Sequence, residues 1–245
     1  MDTEVTWFAP PASVPLPLSQ RPRLASWNRR DDPDQQALRA YLDHVEAVAR
    51  PRLDEVGDPL AVGFDVRLDD GVDLLHERDL DNYALPVVTH LARSTGRAVR
   101  SVHVTKDHGA TSSVQLETAR PRSSAALAGS VHRVRTTAST DSSTYKEEIH
   151  GHLPDEDLLL PPGPVALEIA FVVGPGRVWT NLWKPTIDAL GSLLGPSSPP
   201  RDWHPDDGRV VSLALHQRVD PTLGHDVVIA LTAAPAGSAD AAIRA

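Results

Sequence analysis

The sequence is internally repetitive. Residues 5–119 and 126–234 run through the same order of segments, and a repeat of this length decides the architecture before any single element does. Each copy opens on an arginine-bearing extended segment, PLSQRPRLASW with Arg21 and Arg23, and SVHRVRTTAST with Arg133 and Arg135. Alternate spacing puts each Arg pair on one face of a strand. A helix follows. In the first copy Asp32-Pro33 supplies a cap and a first-turn proline, and Ala37, Leu38, Tyr41, Leu42, Val45 and Val48 recur at helical spacing until Pro51 limits the helix. In the second copy the shorter STYKEEIHGHL is capped by Ser143 or Thr144. Next come two strongly apolar strands, LAVGFDVRL over 60–68 and VALEIAFVV over 165–173, each entered by a Gly/Pro turn.

A second helix comes next, ERDLDNYALPVVTHLARS in one copy and VWTNLWKPTIDALGSLLG in the other, with Asn82 aligned to Asn181 and Pro86 to Pro185. Each copy ends on a strand, a turn and a last strand, with Gly96-Arg97 aligned to Gly208-Arg209. A unit of strand, helix, strand, helix, strand, strand is an α+β unit with a mixed or antiparallel sheet. The alternative is one α/β domain whose halves resemble each other by coincidence. Residues 235–245 read as a disordered tail.

Composition narrows the function classes. The chain has 245 residues, 40% of them hydrophobic and 23% charged, which suits a globular protein and leaves room for a sizeable core. No apolar run approaches the roughly 20 residues a membrane helix needs, and the N-terminus lacks the basic start of a secretory signal, so a cytoplasmic protein with no membrane partner is expected. The absence of cysteine removes thiolate catalysis and cysteine metal sites. The net charge of −9 argues against a non-specific polyanion binder, because phosphate neutralisation needs a Lys/Arg footprint, and neither half is basic.

With these segments in view, the chain resembles the RusA-like Holliday junction resolvases, whose pattern is Pro…Arg-Pro-Arg, helix, strand, Asp-x-Asp-Asn-x-x-Lys-x-x-x-Asp-x-Leu, then Trp-x-Asp-Asp-x-x-Val. The resemblance covers about residues 12 to 234 and centres on the two second helices and WHPDDGRVV. It implies a tandem of two α+β protomers fused into one monomer and packed as a pseudo-twofold dimer, with repeats at 5–119 and 126–234. It further implies branched DNA as partner, Mg²⁺ as cofactor, and aspartates as ligands. The family residues divide between the copies. The first supplies Asp79, Asp81 and Asn82, but has Leu85 and Thr89 where the family has Lys and Asp. The second has Val178 and Thr180 at the Asp-x-Asp positions, yet supplies Asn181, Lys184, Asp188, Leu190, and Trp203 with Asp206 and Asp207. The stretch from Pro196 to Arg201 reads as an insertion before the Asp-Asp pair.

Three functional readings follow. In one, a composite site uses Asp79, Asp81, Asp206 and Asp207 as metal ligands with Lys184 at the scissile phosphate. Arg21, Arg23, Arg133, Arg135, Asn82 and Asn181 then contact DNA. In another, both sites have decayed and the chain binds a DNA junction or a protein partner without cutting. In the third, the aspartates serve structure. Each residue has a plain counterpart: Asp79 and Asp81 as a helix-start pair, Lys184 as a snorkelling surface residue, Asp206-Asp207-Gly208 as a turn. His90, His103 and His216 read as core-adjacent, and His150-Gly151-His152 as a weak metal-like pattern. A separation above about 10 Å between Asp79/Asp81 and Asp206/Asp207 would rule out one two-metal site, whose ions sit about 3.5–4 Å apart.

Overall fold

The computed structural model describes residues 3–25, 28–29, 31–76, 78–153, 159–197 and 201–237. In chain order its elements are β1 (Trp7–Phe8), β2 (Leu16–Pro17), α1 (Pro33–Glu55), β3 (Leu60–Leu68), α2 (Leu80–Thr95), β4 (Val99–His108), β5 (Ser113–Thr118), β6 (Pro121–Arg122), β7 (His132–Thr136), α3 (Ser143–His152), β8 (Val165–Val173), α4 (Trp183–Asp188), α5 (Gly191–Leu194), β9 (Val210–Val219) and β10 (Val227–Pro235). This is a mixed α+β fold. The apolar strands at 60–68 and 165–173 fall where the sequence places them, and two further strands close each half, β4 and β5 in one and β9 and β10 in the other, each pair separated in the sheet by the apolar strand.

One eight-stranded sheet, ordered β2-β5-β3-β4-β9-β8-β10-β7, carries both halves. The order is palindromic. At its centre β4 pairs antiparallel with β9, flanked by two parallel pairs, β3 with β4 and β8 with β9. The outer pairs are antiparallel on both sides. Both parallel pairs also slip register at the same point, between Leu60 and Ala61 in one half and between Val165 and Ala166 in the other. That shared irregularity equates positions across the halves: Lys106 lies opposite Val66 on β3, and Gln217 opposite Phe171 on β8.

All the longer helices contribute to one hydrophobic core on one face of the sheet. Val62, Phe64, Val102 and Val104 from one half join Ile169, Phe171, Leu213 and Leu215 from the other, covered by Tyr41, Tyr83, Tyr145 and Trp183. Full burial of such side chains contributes roughly 1.5–3 kcal/mol each, which explains why the alternating strand faces are held in register. The aligned Gly-Arg pairs do matching work. Arg97 donates to the carbonyls of Leu53 and Val56, and Arg209 to those of Leu160, Pro161, Gly163 and Leu194, so each anchors the segment ahead of a core strand.

The other sheet face is lined by small residues and covered by the N-terminal segment. Trp7 packs on Ala170 and Ala230, and Phe8 on Ala61 and Ala119, while β1 pairs with β6. A Cβ on Gly63 would meet Pro11 at 2.8 Å, so this cover depends on the missing side chain.

Several local expectations change. The first helix continues past Pro51 to Glu55, capped at its start by Asp32, whose side chain accepts from the Asp34 N–H. The cap of α3 is Ser142, one residue before the expected pair. Arg21 and Arg23 do not sit in a strand: β2 ends at Pro17, and only Arg133 and Arg135 share an exposed strand face. What the sequence pattern reads as one helix is broken into a 3-10 turn (Trp179–Leu182), α4 and α5: Pro185 lies in the first turn of α4, where its missing N–H leaves no bond back to the 3-10 turn, and Gly191 opens α5. Most of the expected tail, 238–245, lies outside the described residues. Among the described residues, no helix is long and apolar enough to cross a membrane.

Candidate functional site

Chain direction brings both copies of the second helix to the middle of the sheet, where β4 meets β9. Asp79 immediately precedes α2 but does not cap it: its side chain makes no bond to the helix N–H groups. Its Oδ2 accepts instead from Asn82 Nδ2 at 3.2 Å and from Lys184 Nζ at 3.3 Å, across the boundary between the halves. Lys184 also meets Asp207 Oδ2 at 2.6 Å and Asp188 Oδ1, one helical turn ahead of it, at 3.2 Å. Its ammonium donates to Asp79 and Asp207 and forms an ion pair with Asp188, so three carboxylates surround one cation. The 3.3 and 2.6 Å legs at one nitrogen keep the Asp79 and Asp207 oxygens within 5.9 Å of each other. That is well inside the separation at which a single site would fail.

Asp81, in the first turn of α2, is 4% exposed. Burial pushes its carboxyl up to about 7, with Lys184 pulling against that and Asp79, Asp207 and Asp188 adding to it. Asp207 is likewise raised by burial, opposed by Lys184. Burial would lower the Lys184 ammonium, but Asp207, Asp81, Asp79 and Asp188 outweigh it and hold the proton firmly. Asp188 is shared further: its Oδ2 takes a bond from Lys146 of α3 at 2.7 Å.

Sequence reading missed two members of this centre, Lys146 and Lys106. Lys106 continues the inward stripe of Val102 and Val104 on β4 and is 4% exposed. Its Nζ donates to the carbonyl of Arg78 at 2.8 Å and to that of Gly208 at 2.6 Å. Burial pulls its ammonium down to about 8, with Asp79, Asp207 and Asp73 opposing. The usable signal was rarity: the chain has three lysines, at 106, 146 and 184, and all three are here.

A cleft of about 700 Å³ opens on the centre, bounded by Asp79, Lys184, Asp188 and Asp207, with His76, Arg201 and His204 among its cationic or titratable walls. Asp206 also lines it, but Lys184 bonds Asp207, not Asp206. Gly208 closes the back. A Cβ there would lie 2.7 Å from the Leu75 carbonyl, so glycine lets the loops of the two halves touch. Smaller clefts adjoin on the first-half side, one with Arg21, Arg67 and Arg78, another with Arg23, Arg78 and Tyr83. Arg21 pairs with Asp69 at 2.6 Å, both exposed. Asn181 is exposed on its 3-10 turn. Arg133 and Arg135 lie on the edge strand β7, with Arg135 on Asp226, away from this centre.

The structure therefore joins Asp79, Asn82, Lys184, Asp188 and Asp207, with Asp206 at the rim and Asp81 buried near enough to feel their charge but outside the cleft lining. The positions aligned with them on the other side of the palindrome are Val178, Thr180, Leu85 and Thr89, which offer no charge.

A second polar cluster lies on the opposite sheet face. Ser101 Oγ is 3.2 Å from His216 Nδ1 and 2.8 Å from His103 Nε2, and His216 Nε2 is 3.5 Å from Glu168, which pairs with Arg122. The Ser–His–Glu order suggests a hydrolase, but Ser101 and His216 are fully buried beneath Trp7 and Phe8. Burial drives His103 down to about 3, reinforced by His216. Burial would raise Glu168, but the nearby His216 and the bonded Arg122 bring it down to about 2. His90, by contrast, sits part-buried 2.8 Å from Glu46.

No protein-family model matches the chain, and no significant match is found among curated proteins.

Proposed function

We propose that this chain is a RusA-like pseudo-dimer acting as a monomer on branched DNA, with one composite centre for Mg²⁺-dependent phosphodiester hydrolysis. The observation carrying this reading is the convergence of Asp79 from the first half with Asp188 and Asp207 from the second on Lys184. A Holliday junction, met in the cytoplasm during DNA recombination and repair, is the substrate class that goes with it.

The donor set fits Mg²⁺ in kind. It consists of hard carboxylate oxygens, and Asp81 is buried among like charges that one neighbouring ammonium does not balance. Among the described residues no group of three acids is already in metal-ligand geometry, since Lys184 stands between them. Asp79, Asp81 and Asp207 would hold the ion. When bound, Mg²⁺ supplies Lewis acidity toward the phosphoryl oxygen and lowers the pKa of a coordinated water. The protein's own part is positional. Asn82 orients the Asp79 carboxylate, Asp188 steadies Lys184 from one turn away, and Lys184 offers its ammonium to the charge that grows on the phosphate. His76, Arg201 and His204 flank the cleft where the adjoining backbone would run.

Incubating the purified protein with a labelled four-way junction and Mg²⁺, beside Asp81→Asn and Lys184→Ala, tests this. Cleavage abolished by both substitutions is the expected result. A second reading has its own support: the three-carboxylate cage is already filled by Lys184, and the net charge is −9. On that reading the chain binds a junction, or a protein partner, without cutting. A gel shift without cleavage would select junction binding, and neither cleavage nor shift would direct the search to protein partners.

A further inference from the structure

Lysine is confined to one place in this protein. Of 24 Lys and Arg residues only three are lysines, and Lys106, Lys146 and Lys184 all belong to the acidic centre. Burial alone does not explain that choice, because Arg209 is equally buried and serves four carbonyls with its planar fork. An ammonium differs in being a compact charge with three donors pointing in separate directions.

Lys106 is the unusual member, because its two described bonds go to carbonyls and none to a carboxylate. Its acceptors are the carbonyls of Arg78 and Gly208. Arg78 immediately precedes Asp79, and Gly208 immediately follows Asp207. One buried ammonium thus ties together two backbone segments, one from each half, whose carboxylates then meet on Lys184. The sheet contains its own control. The position equivalent to Lys106 on β9 is Gln217, which accepts from Arg100 at 2.8 Å, and on that side the acids are missing as well. The brace is present only where the centre is.

We propose that Lys106 is a positioning residue for the composite centre, a cross-brace that sets the spacing of Asp79 and Asp207 around Lys184. This rests on the composite-site reading, and the test separates the two. Protein labelled with ¹³Cε-lysine gives three side-chain signals, one per lysine. In full-length Lys106→Gln and Lys106→Met, the Lys184 signal is expected to shift, and its response to Mg²⁺ alone to need about tenfold more ion. Where the wild type cleaves a junction, kcat is expected to fall about 100-fold with KM unchanged, the scale of a 1 Å misplacement. If both Lys106 variants fail to fold, Gly208→Ala, whose Cβ would crowd the Leu75 carbonyl and so displace the residue whose carbonyl Lys106 holds, is expected to shift the Lys106 and Lys184 signals together, and a Lys106 signal that moves while Lys184 stays fixed would overturn the proposal. Folded variants with an unmoved Lys184 signal and an unchanged Mg²⁺ midpoint would overturn the proposal. An inactive wild type would sink the nuclease reading, while the lysine signals still judge the brace.

Discussion

Asp81 pulls stability and chemistry in opposite directions. Its carboxyl titrates near 7 in the folded chain, against 3.8 as the ordinary value, so between those limits the folded state holds the extra proton. In metal-free buffer the Asp81 contribution to stability therefore falls as pH rises from about 4 to about 7. Asp81→Asn should remove that decline, giving a higher melting temperature than wild type at pH 8 together with loss of cleavage. Parallel melting curves at pH 5 and pH 8 check it, and a variant that tracks the wild type at both would refute it. Gly208 is the steric counterpart. Because a Cβ would sit 2.7 Å from the Leu75 carbonyl, Gly208→Ala should cost about 1–3 kcal/mol in urea unfolding and lower cleavage more than it lowers stability. Unchanged unfolding and cleavage would mean that the loop yields freely.

At the scale of elements, the N-terminal cover depends on neutral histidines. His103 takes a proton only at about 3 when folded, against 6.5 ordinarily, so the unfolded chain binds more protons between those values and the His103 contribution, opposite in sign to that of Asp81, is lost as pH falls through that window. The difference in slope between wild type and His103→Gln should approach about 1.4 kcal/mol per pH unit there. An unaltered slope in the variant would place the acid sensitivity elsewhere. Strands β3 and β8 were legible residue for residue, since a nine-residue apolar run ahead of polar turns leaves few alternatives. The second-half helix was less so, because the apolar pattern runs on from Trp179 to Leu194 while the backbone breaks before Trp183 and again between Asp188 and Gly191. Lys106 was illegible for another reason. In Val-Thr-Lys-Asp it reads as an ordinary strand cation, and its value appears only once β4 lies against β9. Arg21 and Arg23 were misplaced because β2 is only two residues long and ends at Pro17.

On the scale of the whole molecule, the similar order of segments in the two halves is matched by a sheet order palindromic about the β4–β9 pair, and the unequal split of acids and Lys184 between the halves stands in the sequence itself. A meeting of Asp79 and Asp207 at Lys184 was one of three open readings, and strand order, which the sequence does not reveal, is what brings them together. One composite centre has a kinetic signature. On a supercoiled plasmid with an extruded cruciform, a two-site enzyme makes paired cuts and a linear product, whereas this chain should accumulate nicked circles at early times. Linear product formed without a nicked intermediate would speak for a second centre.

The central pairing of β4 with β9 also bears on descent. A first half surviving alone would expose the ten-residue edge of β4 and could pair with its own copy. Such a pair would hold Asp79 and Asp81 twice over, with Leu85 where the ammonium is needed; two second halves would hold Lys184 and Asp207 twice, facing Val178 and Thr180. Neither homodimer rebuilds the centre. If the composite centre is what the chain is kept for, splitting it into separate genes would preserve that centre only where both fragments are made together.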